Sequence, residues 1–164
     1  LPIAFYKSVD QLPDFQDYNM KGRTYRYMTQ TPLYPFGYGL SYTTFEYANL
    51  KVDKANFTAD DTLTVTVDVK NTGSRAGKES VLLYSSDLIA SIVPDNKRLR
   101  CFTKISLEPG ETKTVTFTLP AKDLAFVGAD GRWTLEEGDF LLRVARLTAP
   151  TTCTKTKVWN TPNK

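Results

Sequence analysis

Between Thr62 and Val69 the chain alternates without a break, with Leu63, Val65, Val67 and Val69 on one side and Thr64, Thr66 and Asp68 on the other. Side chains of an extended strand point to opposite faces with period two, so this stretch reads as a strand with one face on a core. Thr112–Leu119 repeats the pattern, with Val115, Phe117 and Leu119 inward. Two such strands commit the surrounding chain to β-structure. From Phe45 onward the sequence divides into short apolar runs separated by turn signals, at intervals of about ten to fifteen residues. Phe45–Ala55 is the first run, and Asn71-Thr72-Gly73-Ser74 turns the chain after the second. Glu79–Ser86 is apolar on both faces through Val81, Leu82, Leu83 and Tyr84, as expected of a central strand. Arg98–Leu107 follows, and Glu108-Pro109-Gly110-Glu111 places Pro and Gly where a tight turn needs them. Asp130-Gly131 predicts a hairpin leading into Trp133, which is expected to anchor the core together with Leu135. Phe140–Leu147 and Thr154–Trp159 are the last expected strands. The sum is about seven or eight strands, an all-β, two-sheet sandwich of the immunoglobulin or fibronectin type III kind over residues 45–164, with an N-terminal extension.

The extension has a different character. Pro32-Leu33-Tyr34-Pro35-Phe36-Gly37-Tyr38-Gly39-Leu40-Ser41-Tyr42 interleaves rings with two conformational stiffeners and two conformational releasers. So much aromatic area in a linker is expected to be buried between two bodies, and residues 22–44 read as an interdomain connector. Tyr25, Tyr27, Tyr34, Phe36, Tyr38 and Tyr42 are the candidate seam. Leu1–Tyr6 is a strand-like run with no evident partner, so residues 1–8 are expected to form one strand, and 1–21 to be a remnant of a preceding domain. Gln11–Lys21 reads as a loop with room for one helical turn, and Gly22–Tyr27 alternates briefly, as extended chain does.

Composition narrows the function. The 21 basic and 18 acidic residues leave a net charge of +3, scattered rather than clustered, which gives no footprint for nucleic acid or an anionic membrane. No apolar run approaches the roughly 20 residues of a membrane-spanning helix. The absence of histidine excludes Ser-His-Asp and Cys-His chemistry and the commonest transition-metal ligand. Cys101 and Cys153 are too few for a disulfide scaffold or a four-cysteine zinc site, and two unpaired thiols are the expected state. No phosphate loop, calcium loop or other cofactor motif occurs. Carboxylate pairs for glycosidase chemistry can be drawn at Asp14/Asp17, Asp60/Asp61 and Glu136/Glu137, but each lies in an ordinary polar turn, where solvated carboxylates are expected. The aromatic segment could stack on sugar rings, although packing against a neighbouring domain is the expected use. Asn56-Phe57-Thr58 fits a glycosylation acceptor, a triplet that often arises by chance.

Gly22-Arg23-Thr24-Tyr25-Arg26-Tyr27 followed by the Pro32–Tyr42 segment closely resembles the connector of family-3 glycoside hydrolases. Val69–Gly73, Ala76–Glu79, Leu83-Tyr84, Phe102–Ile105, Leu107–Glu111 and Gly131–Phe140 extend the resemblance over nearly the whole chain. Cys101 departs from it, standing where a small residue such as Ala is usual, and the tail from Thr148 to Lys164 is less constrained. Asp10–Phe15 with Met20-Lys21-Gly22 is most similar to β-xylosidase and β-glucosidase members from Bacteroidetes. The resemblance implies a fibronectin type III-like domain following a catalytic α/β sandwich, whose last strand would be Leu1–Tyr6. It also implies that the parent is a retaining enzyme whose nucleophile and acid/base lie upstream. No residue here matches either motif, so no catalytic, cofactor or metal residue is expected in this chain. The implied role is a non-catalytic scaffold for a β-glycosidase, with the catalytic domains of the same polypeptide as partners and a periplasmic or secreted location. Self-association through the N-terminal segment, or disorder of roughly its first 20 residues, is expected when those partners are absent. A carbohydrate-binding module and a protein-interaction or adhesion domain are the alternatives.

Overall fold

The computed structural model describes residues 1–92 and 95–160. Its centre is a three-stranded sheet packed on a five-stranded one. The alternating strand, β3 (Thr62–Asn71), lies between β1 (Phe45–Val52) and β6 (Thr112–Pro120). Leu63, Val65, Val67 and Val69 are fully buried, and they face Leu119, Phe117 and Val115 across the β3–β6 register. Their threonine neighbours face out: a period of two with one wet face is all the sequence needs to set that register. The facing sheet runs β2 (Asn56–Phe57), β10 (Leu147–Cys153), β9 (Gly138–Val144), β4 (Gly77–Asp87), β5 (Arg98–Leu107). It contributes Phe57, Val81, Leu83, Leu107, Phe140, Leu142, Val144 and Cys153 to the same core. The fold is an all-β fibronectin type III-like sandwich.

A third, small sheet of β7 (Phe126–Val127), β8 (Trp133–Leu135) and β11 (Lys157–Trp159) flanks the two layers. The hairpin at Asp130-Gly131 forms as expected, with Gly131 at a φ of +76° and its N–H donating to the Gly128 carbonyl. Trp133, however, is a partly buried residue packed against the edge of the core, while Leu135 two positions on is the one sealed inside. The pairing of β8 explains this. Trp133 lies opposite Trp159 on one side and Val127 on the other, so the indole belongs to the small flanking sheet rather than to the space between the two main layers.

Three expectations are corrected. Residues 1–8 are not a strand: only Phe5 forms a bridge, with Tyr34, and Val9–Gln11 is a turn of 3-10 helix. Alternation specifies a strand only when a partner strand satisfies its backbone, and here the one partner is the irregular connector. Thr24–Tyr27 is a single helical turn, α1, instead of extended chain. The expected single strand Phe140–Leu147 is two: β9 ends at Val144, Ala145 turns at a φ of +51°, and Leu147–Cys153 returns as a full strand. Pro150 hides that second strand in the sequence. It is tolerated because β2 pairs only with Thr152 and Cys153, leaving β10 without a paired strand on that side at Pro150. Cys101 and Cys153 are both free thiols, the second fully buried. Residues 161–164, the end of the tail that the sequence leaves unconstrained, lie outside the described residues.

Candidate functional site

The connector folds back over the outer face of the five-stranded sheet. Its attachment begins at α1, where the Arg26 guanidinium donates to both carboxylate oxygens of Asp95 at 2.8 and 2.9 Å. Such a two-point fork fixes orientation as well as position. The Lys97 N–H donates to the Arg26 carbonyl, and the Asn96 amide donates to the Met28 carbonyl at 2.6 Å. Met28 is buried beneath.

Above this clamp the rings separate into groups. Tyr25 stacks on Phe36 with centroids 4.2 Å apart and planes within 20°, and both meet the ring of Tyr84 edge-on at 6.4 Å. Burial pushes the Tyr84 phenol up to about 12, so it stays a neutral donor at any physiological pH. Gly37 makes this approach feasible: a Cβ there would come within 2.7 Å of Leu82 Cδ1, and its φ is +84°. Tyr34 and Tyr38 form a second pair at 4.7 Å, with Phe5 edge-on to Tyr34. The N-terminal segment is tied to them by Phe5 N–H to the Tyr34 carbonyl, and by the Leu1 backbone nitrogen to the Tyr38 carbonyl. Tyr27 lies apart, beneath the Arg26 guanidinium. Tyr42 is 93% exposed and contacts neither group's rings.

Of the six seam candidates, then, two join the sandwich, two pair over the N-terminal segment, and Tyr27 and Tyr42 stand separately. The sandwich's half of this contact, Tyr84, Asp95, Asn96 and Lys97, escapes a reading of the sequence alone. The doubly apolar pattern of β4 is the available signal, since Leu82 and Tyr84 face the connector while Val81 and Leu83 face the core. The segment leaves Leu1, Ile3, Phe5, Leu33, Leu40 and Tyr42 exposed.

Between connector and sheet runs a cleft of about 570 Å³. Tyr25, Phe36, Leu82 and Tyr84 give it apolar walls, and Glu79, Lys97 and Arg143 supply charge. The Tyr47 hydroxyl donates to Glu79 Oε1 at 2.7 Å; burial first, and then that carboxylate, push its ionisation far above the ordinary tyrosine range. Four of the six carboxylates considered for catalysis have other uses. Asp14 and Asp17 accept from backbone N–H groups of Gln16 and Asn19, Asp61 pairs with Lys54 and accepts from Thr58, and Glu136 accepts from the Ser91 N–H. Hydrogen bonds from Lys54 and Thr58 hold Asp61 down to about 2.

Asp87, at the end of β4, behaves in the opposite way. Burial pushes its carboxyl up to about 6; the Ile89 N–H opposes the rise, and Glu136 and Asp95 add to it. With a folded value above the ordinary 3.8, protonation favours the fold. That contribution is complete below about pH 4 and is lost as pH rises through about 6. Asp87→Asn should therefore stabilise the protein by about 1 kcal/mol at pH 7, once the half-exposed position is discounted, and by nothing near pH 3.5. Urea titrations at the two pH values measure this; an equal gain at both would mean that the charge is not the cause.

Comparison with known proteins fits this geometry. Residues 79–148 match the fibronectin type III-like domain family. A β-xylosidase from Formosa agariphila is 41% identical over 149 residues, covering 88% of this chain and 21% of that protein. The chain carries a fibronectin type III-like domain and resembles the matching part of such β-glycosidases. A periplasmic β-glucosidase from Salmonella typhimurium is 38% identical over 152 residues, covering 85% of this chain and 20% of its own length. Among solved structures, the β-glucosidase of Kluyveromyces marxianus in complex with glucose superposes with a TM-score of 0.78 at 33% identity, over 96% of this chain and 21% of that one. The fibronectin type III-like chain thus spans about a fifth of the length of the relatives it matches. Among the described residues, no helix is long and apolar enough to cross a membrane.

Proposed function

We propose that this chain is the non-catalytic accessory part of a retaining, exo-acting β-glycosidase of the β-glucosidase or β-xylosidase type, and that it braces the catalytic domains of the same polypeptide. In this reading residues 1–21 end the preceding α/β sandwich domain, 22–44 are the connector, and 45–164 form the bracing sandwich. One observation carries it: residues 1–42 leave Leu1, Ile3, Phe5, Phe15, Leu40 and Tyr42 among their exposed apolar side chains, while Arg26 clamps the segment to the sandwich. Apolar area on this scale, collected on a rigidly held segment, is the mark of a surface built to be covered. The periplasmic relative supports a periplasmic or secreted location.

Two measurements test the reading. The purified chain should release no p-nitrophenol from β-xyloside or β-glucoside, since two carboxylates about 5 to 5.5 Å apart are needed for the retaining mechanism. It should also self-associate at high concentration through the uncovered face, and Leu40→Ser with Tyr42→Ser should reduce that association without lowering the melting temperature. Turnover that follows the protein through successive columns would overturn the accessory role. A strictly monomeric chain in light scattering would overturn the docking face.

A further inference from the structure

The cleft beneath the connector is more than a packing gap, because its charge is arranged unevenly. Tyr84 on β4 and Arg143 on β9 are directly opposite one another in the register, so their side chains share the outer face of the sheet. Lys97 places its ammonium 5.2 Å from the centre of the Tyr84 ring. Two cations are thereby gathered at one end. Arg143 donates through Nε to Ser86 Oγ at 3.0 Å, and neither Lys97 nor Arg143 makes an ion pair with a carboxylate among the described residues. Burial and the neighbouring guanidinium both lower the Lys97 ionisation, with no acidic group relieving it. Two partly desolvated like charges without a counter-charge are costly unless something else brings one.

The other end is different. Glu79, five positions before Tyr84 and about 16 Å away along an extended chain, alternates to the side of Val81 and Leu83 and meets Tyr47 there, where both line the cleft. Tyr47 holds one of its oxygens, so the carboxylate is oriented with further acceptor sites to spare. Ser80, Thr29, Gln30 and Thr31 add hydroxyl and amide groups along the rim. Between the ends, Tyr25, Phe36, Leu82 and Tyr84 form an apolar wall. The volume, about 570 Å³, lies within the range of about 300–1,000 Å³ that small-molecule sites occupy.

We propose that this cleft binds a short acidic saccharide: its carboxylate lies against Lys97 and Arg143, its hydroxyls donate to Glu79, and its ring faces rest on the apolar wall. A neutral sugar leaves the cation pair uncompensated, and a simple carboxylate leaves the wall and Glu79 unused. The inference does not depend on the bracing role, since the cleft lies between connector and sheet, away from the outward docking face.

The full chain is titrated by calorimetry with a glucuronic-acid-terminated disaccharide, with its glucose-terminated counterpart, and with acetate. The acidic disaccharide should bind about tenfold or more tighter than the neutral one, the worth of one charged hydrogen bond. Lys97→Gln and Arg143→Gln should each remove that advantage, and Lys97→Arg should keep it. Melting curves of the variants verify that the sandwich is intact, and Glu79→Gln should weaken both disaccharides without changing their ratio. Equal affinity for the two disaccharides, no binding of either, or acetate binding as tightly as the acidic disaccharide would each overturn the proposal. None of these outcomes bears on turnover or association, which test the accessory role.

Discussion

Phe140→Ala should lower the free energy of unfolding by about 3–5 kcal/mol, the cost of deleting a large ring from a packed interior. Phe140 is 2% exposed at the heart of β9 and meets Phe57 edge-on with centroids 5.7 Å apart. Phe57 belongs to the two-residue β2 and is equally buried, so its ring is what fastens that short strand to the body of the sheet. Removing Phe140 takes away both the buried area and the edge-to-face partner, which is worth about 0.5–1.5 kcal/mol beyond area alone. The backbone on both sides is held by β4 and β10, so the sheet cannot collapse into the void. Phe102→Ala is the matched control: Phe102 is mid-strand in β5 but 74% exposed, and its loss should stay within about 0.5 kcal/mol. Urea titration of the three proteins measures the difference. A loss below about 1 kcal/mol for Phe140→Ala would mean that the Phe57–Phe140 contact is not part of the cooperative core.

Nothing local in the sequence separates Phe140 from Phe102, and that contrast shows where legibility ends. The strands β3 and β6 are readable because one face is dry and the other wet, and period two then writes itself into the residues. β4 is readable as a central strand, and its second apolar face, Leu82 and Tyr84, is the floor beneath the connector. β10 is not readable, because polar residues and Pro150 dilute its pattern and its stability comes from pairing with β9. Leu1–Tyr6 errs the other way, showing strand composition where no regular partner exists. For Trp133 the strand and the facing with Leu135 are legible, but the depth is not, since depth depends on the small third sheet reaching the indole. The site divides similarly. The connector's rings announce themselves through composition, whereas the cation pair of the cleft joins Lys97 and Arg143 from a loop and a strand far apart in sequence. Only the register that sets Arg143 beside Tyr84 brings them together.

Asn71→Ala should be a costly polar substitution, at about 2–4 kcal/mol, because it removes four hydrogen bonds from one fully buried side chain. Asn71 closes β3 and is fully buried. Its amide nitrogen donates to the Arg75 carbonyl at 2.7 Å and to the Leu107 carbonyl at 3.1 Å, joining the turn after β3 to the end of β5. Its amide oxygen accepts from Thr43 Oγ at 2.7 Å and from the Gly73 N–H at 3.1 Å. Thr43 is the last stretch of the connector, so one side chain ties both sheets and the connector into a single knot. The chain packs closely here: a Cβ on Gly73 would come within 3.0 Å of the Thr44 backbone nitrogen. Thr43→Val removes only the hydroxyl, and should cost about 1 kcal/mol while leaving the bonds to Arg75, Leu107 and Gly73 in place. The two variants should differ in a second way. Asn71→Ala frees the β3 turn and the connector together, so amide exchange should rise at Gly73 and at Thr72, whose N–H donates to the Thr44 carbonyl. Thr43→Val should leave the exchange at Gly73 unchanged, because the Asn71 oxygen still holds it. If Asn71→Ala costs less than about 1 kcal/mol, or protection at Gly73 survives it, solvent reaches the knot and the connector is held by its rings and its bonds to Asp95, Asn96 and Lys97 without help from Asn71.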